Sequence, residues 1–215
     1  VVYAASSSYQ CEVNVGSSLT GQLALGTPHE VTDFPVYFSC DRDIDLGRLW
    51  GMKQALALGG LAQYSSISYE TGKVKRSGYH RLFGIRSGWR LSSGPWSYMT
   101  SLDLFPVSLV SVFSTVETQV NGDAFKITSQ SELFGYGVRL RQGMDREFKF
   151  RLFGSRQHVR VGMALGFLME SFNKRRDTVI RTNRTDPEVT ASETVKAGTY
   201  GGSMVELTLS LGYRF

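Results

Sequence analysis

Alternation is the feature that most narrows what this chain can become. Over residues 203–215, Val205, Leu207, Leu209, Leu211, Tyr213 and Phe215 fall on one face, and Met204, Glu206, Thr208, Ser210, Gly212 and Arg214 on the other. A period of two over that length specifies a β-strand with one apolar and one polar side. The pattern recurs upstream. Over 79–92, Tyr79, Phe83, Ile85, Trp89 and Leu91 oppose His80, Gly84, Arg86, Gly88 and Arg90. Over 158–171, Val159, Val161, Met163, Leu165, Phe167 and Met169 oppose Arg160, Gly162, Ala164, Gly166 and Glu170. Between Tyr79 and Trp89 a strand tilted near 40° climbs about 25 Å, the height of the apolar band of a transmembrane barrel.

Composition agrees with an all-β chain. Twenty-three glycines, five prolines and 12% aromatics accompany abundant Ser and Thr, and no apolar run approaches the length of a spanning helix. The mean hydropathy of −0.15 does not argue against a membrane protein, because inward polar residues dilute the outward apolar ones. The expected fold is therefore a closed antiparallel up-and-down transmembrane β-barrel, with eight strands as the smallest common even number. No basic n-region with a following apolar stretch stands at Val1, so the chain reads as a mature product.

Two further strands are expected around Trp96, Tyr98, Leu102 and Leu104, and around Phe134, Tyr136, Val138 and Leu140, with Asp103, Arg139 and Arg141 inward. Tyr79, Trp89, Trp96, Tyr98, Tyr213 and Phe215 are the expected interface aromatics. Ser92-Ser93-Gly94-Pro95 reads as a tight turn, Gly143 to Glu147 as another, and Asn121-Gly122 as a hairpin turn. Residues 148–172 form one strand or two, with a break near Gly154. Pro106 marks a bulge or a membrane exit. Beyond it the alternation fails, and Leu109, Val110, Val112 and Phe113 read as a candidate self-association patch. The barrel is expected over 51–215, with long external loops near 107–128 and 172–200.

Residues 1–50 read as an N-terminal segment, with a disulfide-linked hairpin of the barrel as one reading of it. Cys11 and Cys40 are symmetric about Gly26, so a hairpin turning there would set them opposite one another within disulfide range. The alternative is two isolated thiols.

The inward faces collect Arg86, Arg90, Asp103, Arg139, Arg141, Arg160, Glu170, Glu206 and Arg214. An eight-stranded barrel is just wide enough for side chains to fill it, so these charges are expected to pair into a network that closes the lumen. The surplus of inward arginine leaves weak anion passage as an alternative. Nothing in the motifs selects catalysis: His29, His80 and His158 lack metal-ligand spacing, and no nucleophile motif or glycine-rich phosphate loop is present. A His/Ser constellation built on His80 or His158 is the remaining enzymatic alternative. No cofactor or metal is expected. The basic runs at 73–76 and 174–176 read as solvated loops near anionic lipid rather than as a nucleic-acid surface, having no aromatic platform.

The terminal Leu211-Gly212-Tyr213-Arg214-Phe215 resembles the last strand of bacterial outer-membrane barrels, where a C-terminal aromatic is part of the signal read by the barrel-assembly machinery. With the strand rhythm and polar interior over about residues 54–215, the chain resembles the small OmpA-like eight-stranded barrels of Gram-negative bacteria. That resemblance implies the bacterial outer membrane, lipid and lipopolysaccharide as surroundings, and a structural or membrane-organising role without catalysis. A small pore, a lipid-modifying barrel enzyme and a soluble lipocalin-like binder are the competing readings.

Overall fold

The computed structural model describes residues 7–24, 28–71, 74–120, 123–152, 155–183 and 189–214. These form eight strands: β1 (Ser7–Ala24), β2 (Pro28–Leu49), β3 (Met52–Thr71), β4 (Val74–Ser93), β5 (Trp96–Val120), β6 (Asp123–Leu152), β7 (Ser155–Asn183) and β8 (Val189–Arg214). Each pairs antiparallel with its sequence neighbour, and β1 pairs with β8, so the sheet closes into an up-and-down barrel. Closure leaves no edge along the shared length, the condition a sheet must meet in lipid.

The pleat separates two environments. Val13, Val36, Phe38, Phe83, Ile85, Leu102, Leu104, Val138, Leu140, Val161, Leu165, Phe167, Leu207, Leu209 and Leu211 stand exposed on the outside. Polar and charged residues between them are buried inside. A soluble sandwich or lipocalin would bury those apolar rows, and this barrel presents them.

At one end the chain turns tightly. Trp50 and Gly51 both take positive φ (49° and 79°), the backbone of a type I′ hairpin turn. Gly94, at φ 58°, turns the chain at Ser93-Gly94-Pro95-Trp96. The other end carries long arms. β6 has 30 residues, about 75 Å along the barrel axis at a 40° tilt, so it outruns the apolar band at both ends.

Two expectations change here. The segment 143–147 is no turn: it continues β6, pairing with Ala164, Met163, Gly162, Val161 and Arg160 of β7. Phe148 and Phe150 thus end β6 rather than begin a strand, and the break between β6 and β7 falls between Leu152 and Ser155. The segments 107–128 and 172–200, read as external loops, are mostly paired arms of β5, β6, β7 and β8. Lys174, Arg175 and Arg176 accordingly lie on β7 and not in a loop. Residues 7–24 and 28–49 supply β1 and β2, the disulfide-linked hairpin of the barrel wall that is one reading of the N-terminal segment. The turn positions Gly26 and Asn121-Gly122 and the terminal Phe215 lie outside the described residues.

Pro106 explains the failed alternation. The register between β5 and its neighbours shifts between Phe105 and Ser108, a β-bulge that accommodates a residue with no N–H to donate. Before the bulge odd residues face inward; after it, even ones do. Val110 and Val112 therefore point into the barrel, 2% and 3% exposed. Only Leu109 and Phe113 of that apolar set face outward, Phe113 packing edge-on against Tyr79, so the four do not make one self-association patch.

Candidate functional site: the barrel interior

The interior is built in layers. On the side of the tight turns lies a polar vestibule of about 680 Å³, bordered by Asp43, Lys53, Glu147, Lys149, Arg90 and Arg160. At its rim His158 Nδ1 lies 3.1 Å from Glu147 Oε1 and Lys149 Nζ 3.3 Å from Oε2. Partial burial raises the Glu147 pKa, but the His158 and Lys149 contacts outweigh it and hold the carboxyl below its ordinary value.

Above the vestibule the arginines are locked in. Arg90 donates to both oxygens of Asp43, and Arg160 Nη1 donates to Gln10 Oε1 at 2.8 Å. Arg86 forks onto Asp103 through Nε at 2.8 Å and Nη2 at 3.2 Å, while its Nη1 reaches Ser39 Oγ at 3.1 Å. Arg139 approaches the same Asp103 from the opposite side, then extends Nη1 to Gln63 Oε1 (2.6 Å) and Glu206 Oε2 (3.1 Å). Its guanidinium sits over the rings of Tyr37 and Phe105 at 4.7 and 5.1 Å. Arg141 donates to Asn14 Oδ1 at 2.8 Å and lies 3.9 Å from Glu12. Gly166 leaves the space beside Arg139, where a Cβ would come within 3.4 Å of Arg139 Cδ.

Past this layer the interior turns apolar. Leu61, Ile67, Leu82, Phe105, Val110, Val112, Leu133, Leu168, Phe172 and Met204 form one buried cluster. A polar group is set at its margin: His80 Nε2 lies 2.8 Å from Glu170 Oε1 and Nδ1 3.7 Å from Asp33, and Ser108 Oγ donates to Glu170 at 2.5 Å. Ser108 and His80 are 3.5 Å apart. The hydroxyl proton thus goes to a carboxylate rather than to the imidazole, an arrangement that does not activate a nucleophile. All of these side chains are buried.

Sequence reasoning placed Arg86, Arg90, Asp103, Arg139, Arg141, Arg160, Glu170 and Glu206 inward, and all eight are there. It missed the carboxylates of the first hairpin. Glu12, Asp41 and Asp43 are buried against the arginines, and Asp33 is buried beside His80. Among the described residues, Arg86, Arg90, Arg139, Arg141 and Arg160 meet Glu12, Asp41, Asp43, Asp103, Asp145 and Glu206, while Asp33 and Glu170 pair with His80. Among the described residues, the expected surplus of inward arginine is thus matched by carboxylates. The missed signal was legible: Tyr9, Val13 and Val15 alternate with Gln10, Glu12 and Asn14.

The disulfide joins that hairpin to itself. Cys11 and Cys40 are direct partners in the β1–β2 ladder and are bonded, with Cα atoms 4.1 Å apart. Of the interface aromatics, Tyr79, Trp89, Trp96 and Tyr98 stand exposed on the outer face and Tyr213 is half-buried.

No family model and no curated protein matches this chain. Solved structures do resemble it in shape. A major outer membrane protein from Thermus thermophilus shares 14% identity over 96% of this chain and 99% of that one, at a TM-score of 0.42. The outer membrane protease OmpT from Escherichia coli shares 9% over 97% and 96%, at 0.46. The beta domain of the Bordetella autotransporter BrkA shares 12% over 97% and 98%, at 0.28. At this level of similarity the chain is like these proteins in being a β-barrel, and their activities say nothing about its own.

Proposed function

We propose that this chain is an integral β-barrel of the bacterial outer membrane whose role is structural or membrane-organising, without catalysis and without an open channel. The observation that carries the reading is the opposition of the two faces. The outside exposes row upon row of Leu, Val, Phe and Ile, while the inside is closed by the arginine–carboxylate layer backed by the apolar cluster around Leu82, Leu133 and Phe172. Exposed apolar surface on that scale is stable only against lipid. Full burial of Arg86 and Arg139 in the ion layer supports a closed lumen at that level.

The surrounding partners follow from the same faces. Outer-membrane lipid covers the apolar belt, lipopolysaccharide borders the end with the long arms, and the alternating β8 is the strand offered to the barrel-assembly machinery. Osmotic swelling of liposomes tests the closed lumen. Protein-loaded vesicles are expected to swell in small sugars no faster than empty ones. Sugar entry at a rate proportional to protein content would overturn the reading.

A further inference from the structure

On the outer face, where a barrel needs only smooth apolar cover, strands β1 to β4 leave a groove of about 250 Å³. Its geometry follows from the register. Val13, Phe38, Ala62 and Phe83 are successive cross-strand partners, so the small Ala62 sits between two phenylalanines. One outward position down β3 is Gly60, where a Cβ would meet nothing nearer than Gly84 O at 4.0 Å. One position up, Tyr64 pairs with Arg81.

Arg81 is the anomaly. It points outward from β4 two residues inside Tyr79, in the part of the strand that faces lipid, and it is exposed there. Its cross-strand partners are Tyr64 and Leu109, and its outward neighbours along β4 are Tyr79 and Phe83. Among the described residues no carboxylate pairs with it; its guanidinium lies 6.0 Å from the Tyr64 ring centroid. Every arginine of the interior ion layer has a carboxylate partner, and this one, on the apolar face, has none among the described residues. An unpaired cation in hydrocarbon is costly, and its long stem lets it reach the interface for an anion.

The geometry points to a binding site for one phosphorylated lipid of the outer leaflet, a lipopolysaccharide molecule. Its lipid A phosphate would sit on Arg81 beside Tyr64, and one acyl chain would lie in the groove over Ala62, toward the side-chain-free surface at Gly60. This rests on the membrane reading above, with the long arms external. The guanidinium offers forked donors to phosphate oxygens. The groove is open, apolar where Val13, Val36, Phe38 and Phe83 line it, and large enough at about 250 Å³ to take part of a hydrocarbon chain.

The test uses the full chain refolded in detergent, with wild type, Arg81→Gln and Ala62→Leu prepared in parallel. Each is titrated with lipopolysaccharide, with dephosphorylated lipopolysaccharide and with phosphatidylglycerol, and bound lipid is counted by native mass spectrometry. The expected result is one lipopolysaccharide per barrel on wild type, weakened at least tenfold by either substitution and by dephosphorylation. Equal binding to all three proteins, or equal binding of phosphorylated and dephosphorylated lipid, would overturn it. So would preference for phosphatidylglycerol. A heat-dependent gel shift on every sample separates the two readings. If the shift is present and selectivity absent, only the lipid site fails; if no wild-type sample shifts, the membrane barrel itself fails. Ala62→Leu guards against a variant that does not fold, since it adds apolar volume on the outer face and leaves the interior untouched.

Discussion

Arg139 grips Asp103 through two donors, Nε at 2.9 Å and Nη2 at 2.8 Å on the same oxygen, while Arg86 holds that carboxylate from the other side. One carboxylate thus neutralises parts of two guanidiniums, and the three residues, direct cross-strand partners, tie the adjacent strands β4, β5 and β6 together on the lumen side. Asp103→Ala leaves both arginines buried without their principal counter-charge. The expected loss is about 3–5 kcal/mol, the range for breaking a buried ion pair from one side. Urea titration of the folded gel band measures it; a loss below about 1 kcal/mol would show that the layer is not what holds the interior.

The disulfide should matter less to folding than to stability. Cys11 and Cys40 face each other in a register that the alternation of Val13, Val15, Val36 and Phe38 already sets. The double substitution to serine is expected to give the same barrel, destabilised by at most about 3–4 kcal/mol from loop closure. Heating unboiled samples with and without reductant checks it, the reduced protein losing its folded band at lower temperature.

Gly84 permits the β5 bulge. A Cβ there would lie 2.2 Å from Leu104 O and 2.8 Å from a ring carbon of Phe105, both at the edge of the bulge. Gly84→Val is expected to cost about 1–3 kcal/mol as overpacking. Gly60→Ala is the control, since its Cβ enters open space. Equal midpoints for the two variants would contradict the close approach.

On the long arms, Asp177 accepts from Ser131 Oγ and Arg175 Nε, each at 2.7 Å, and lies 3.8 Å from Lys196 Nζ. Partial burial raises its pKa, but the Ser131 and Arg175 contacts outweigh that and leave it below the ordinary value. A carboxyl lowered on folding stabilises above its unfolded pKa, about 3.9, and the contribution is lost as pH falls through the lower folded value. The arm is therefore expected to open to pepsin as the medium is acidified through that window. Asp177→Asn should be cut equally readily on either side of it.

Much of this was legible in the sequence, for a physical reason. Where one face meets lipid and the other a polar lumen, every residue reports its side, and 79–92, 158–171 and 203–211 were read correctly from that alone. The Cys11–Cys40 pairing was legible because antiparallel partners lie symmetrically about their turn. The reading failed where the phase breaks or the outer surroundings change. The bulge at Pro106 swaps inward for outward, so Val110 and Val112 looked like surface. Residues 143–147 looked like a turn because Glu147 faces the polar vestibule and Asp145 meets Arg160 in the ion layer, so both are charged on an inward face. The arms over 174–182 and 189–196 leave the membrane, and with it the constraint that makes alternation visible. Asp33 and Glu170 about His80 were the hardest to foresee, since only closure of the barrel brings β2, β4 and β7 together.

The measurement that bears most directly on the whole account is a gel of the detergent-refolded chain, unheated beside boiled, with a parallel sample in plain buffer. A closed lipid-facing barrel predicts a compact unheated band that shifts on boiling to the mobility of the 23.9 kDa chain, and aggregation in buffer alone. A chain that stays soluble without detergent and shows no shift would mean that the exposed apolar rows are covered by protein, and the membrane barrel would be wrong.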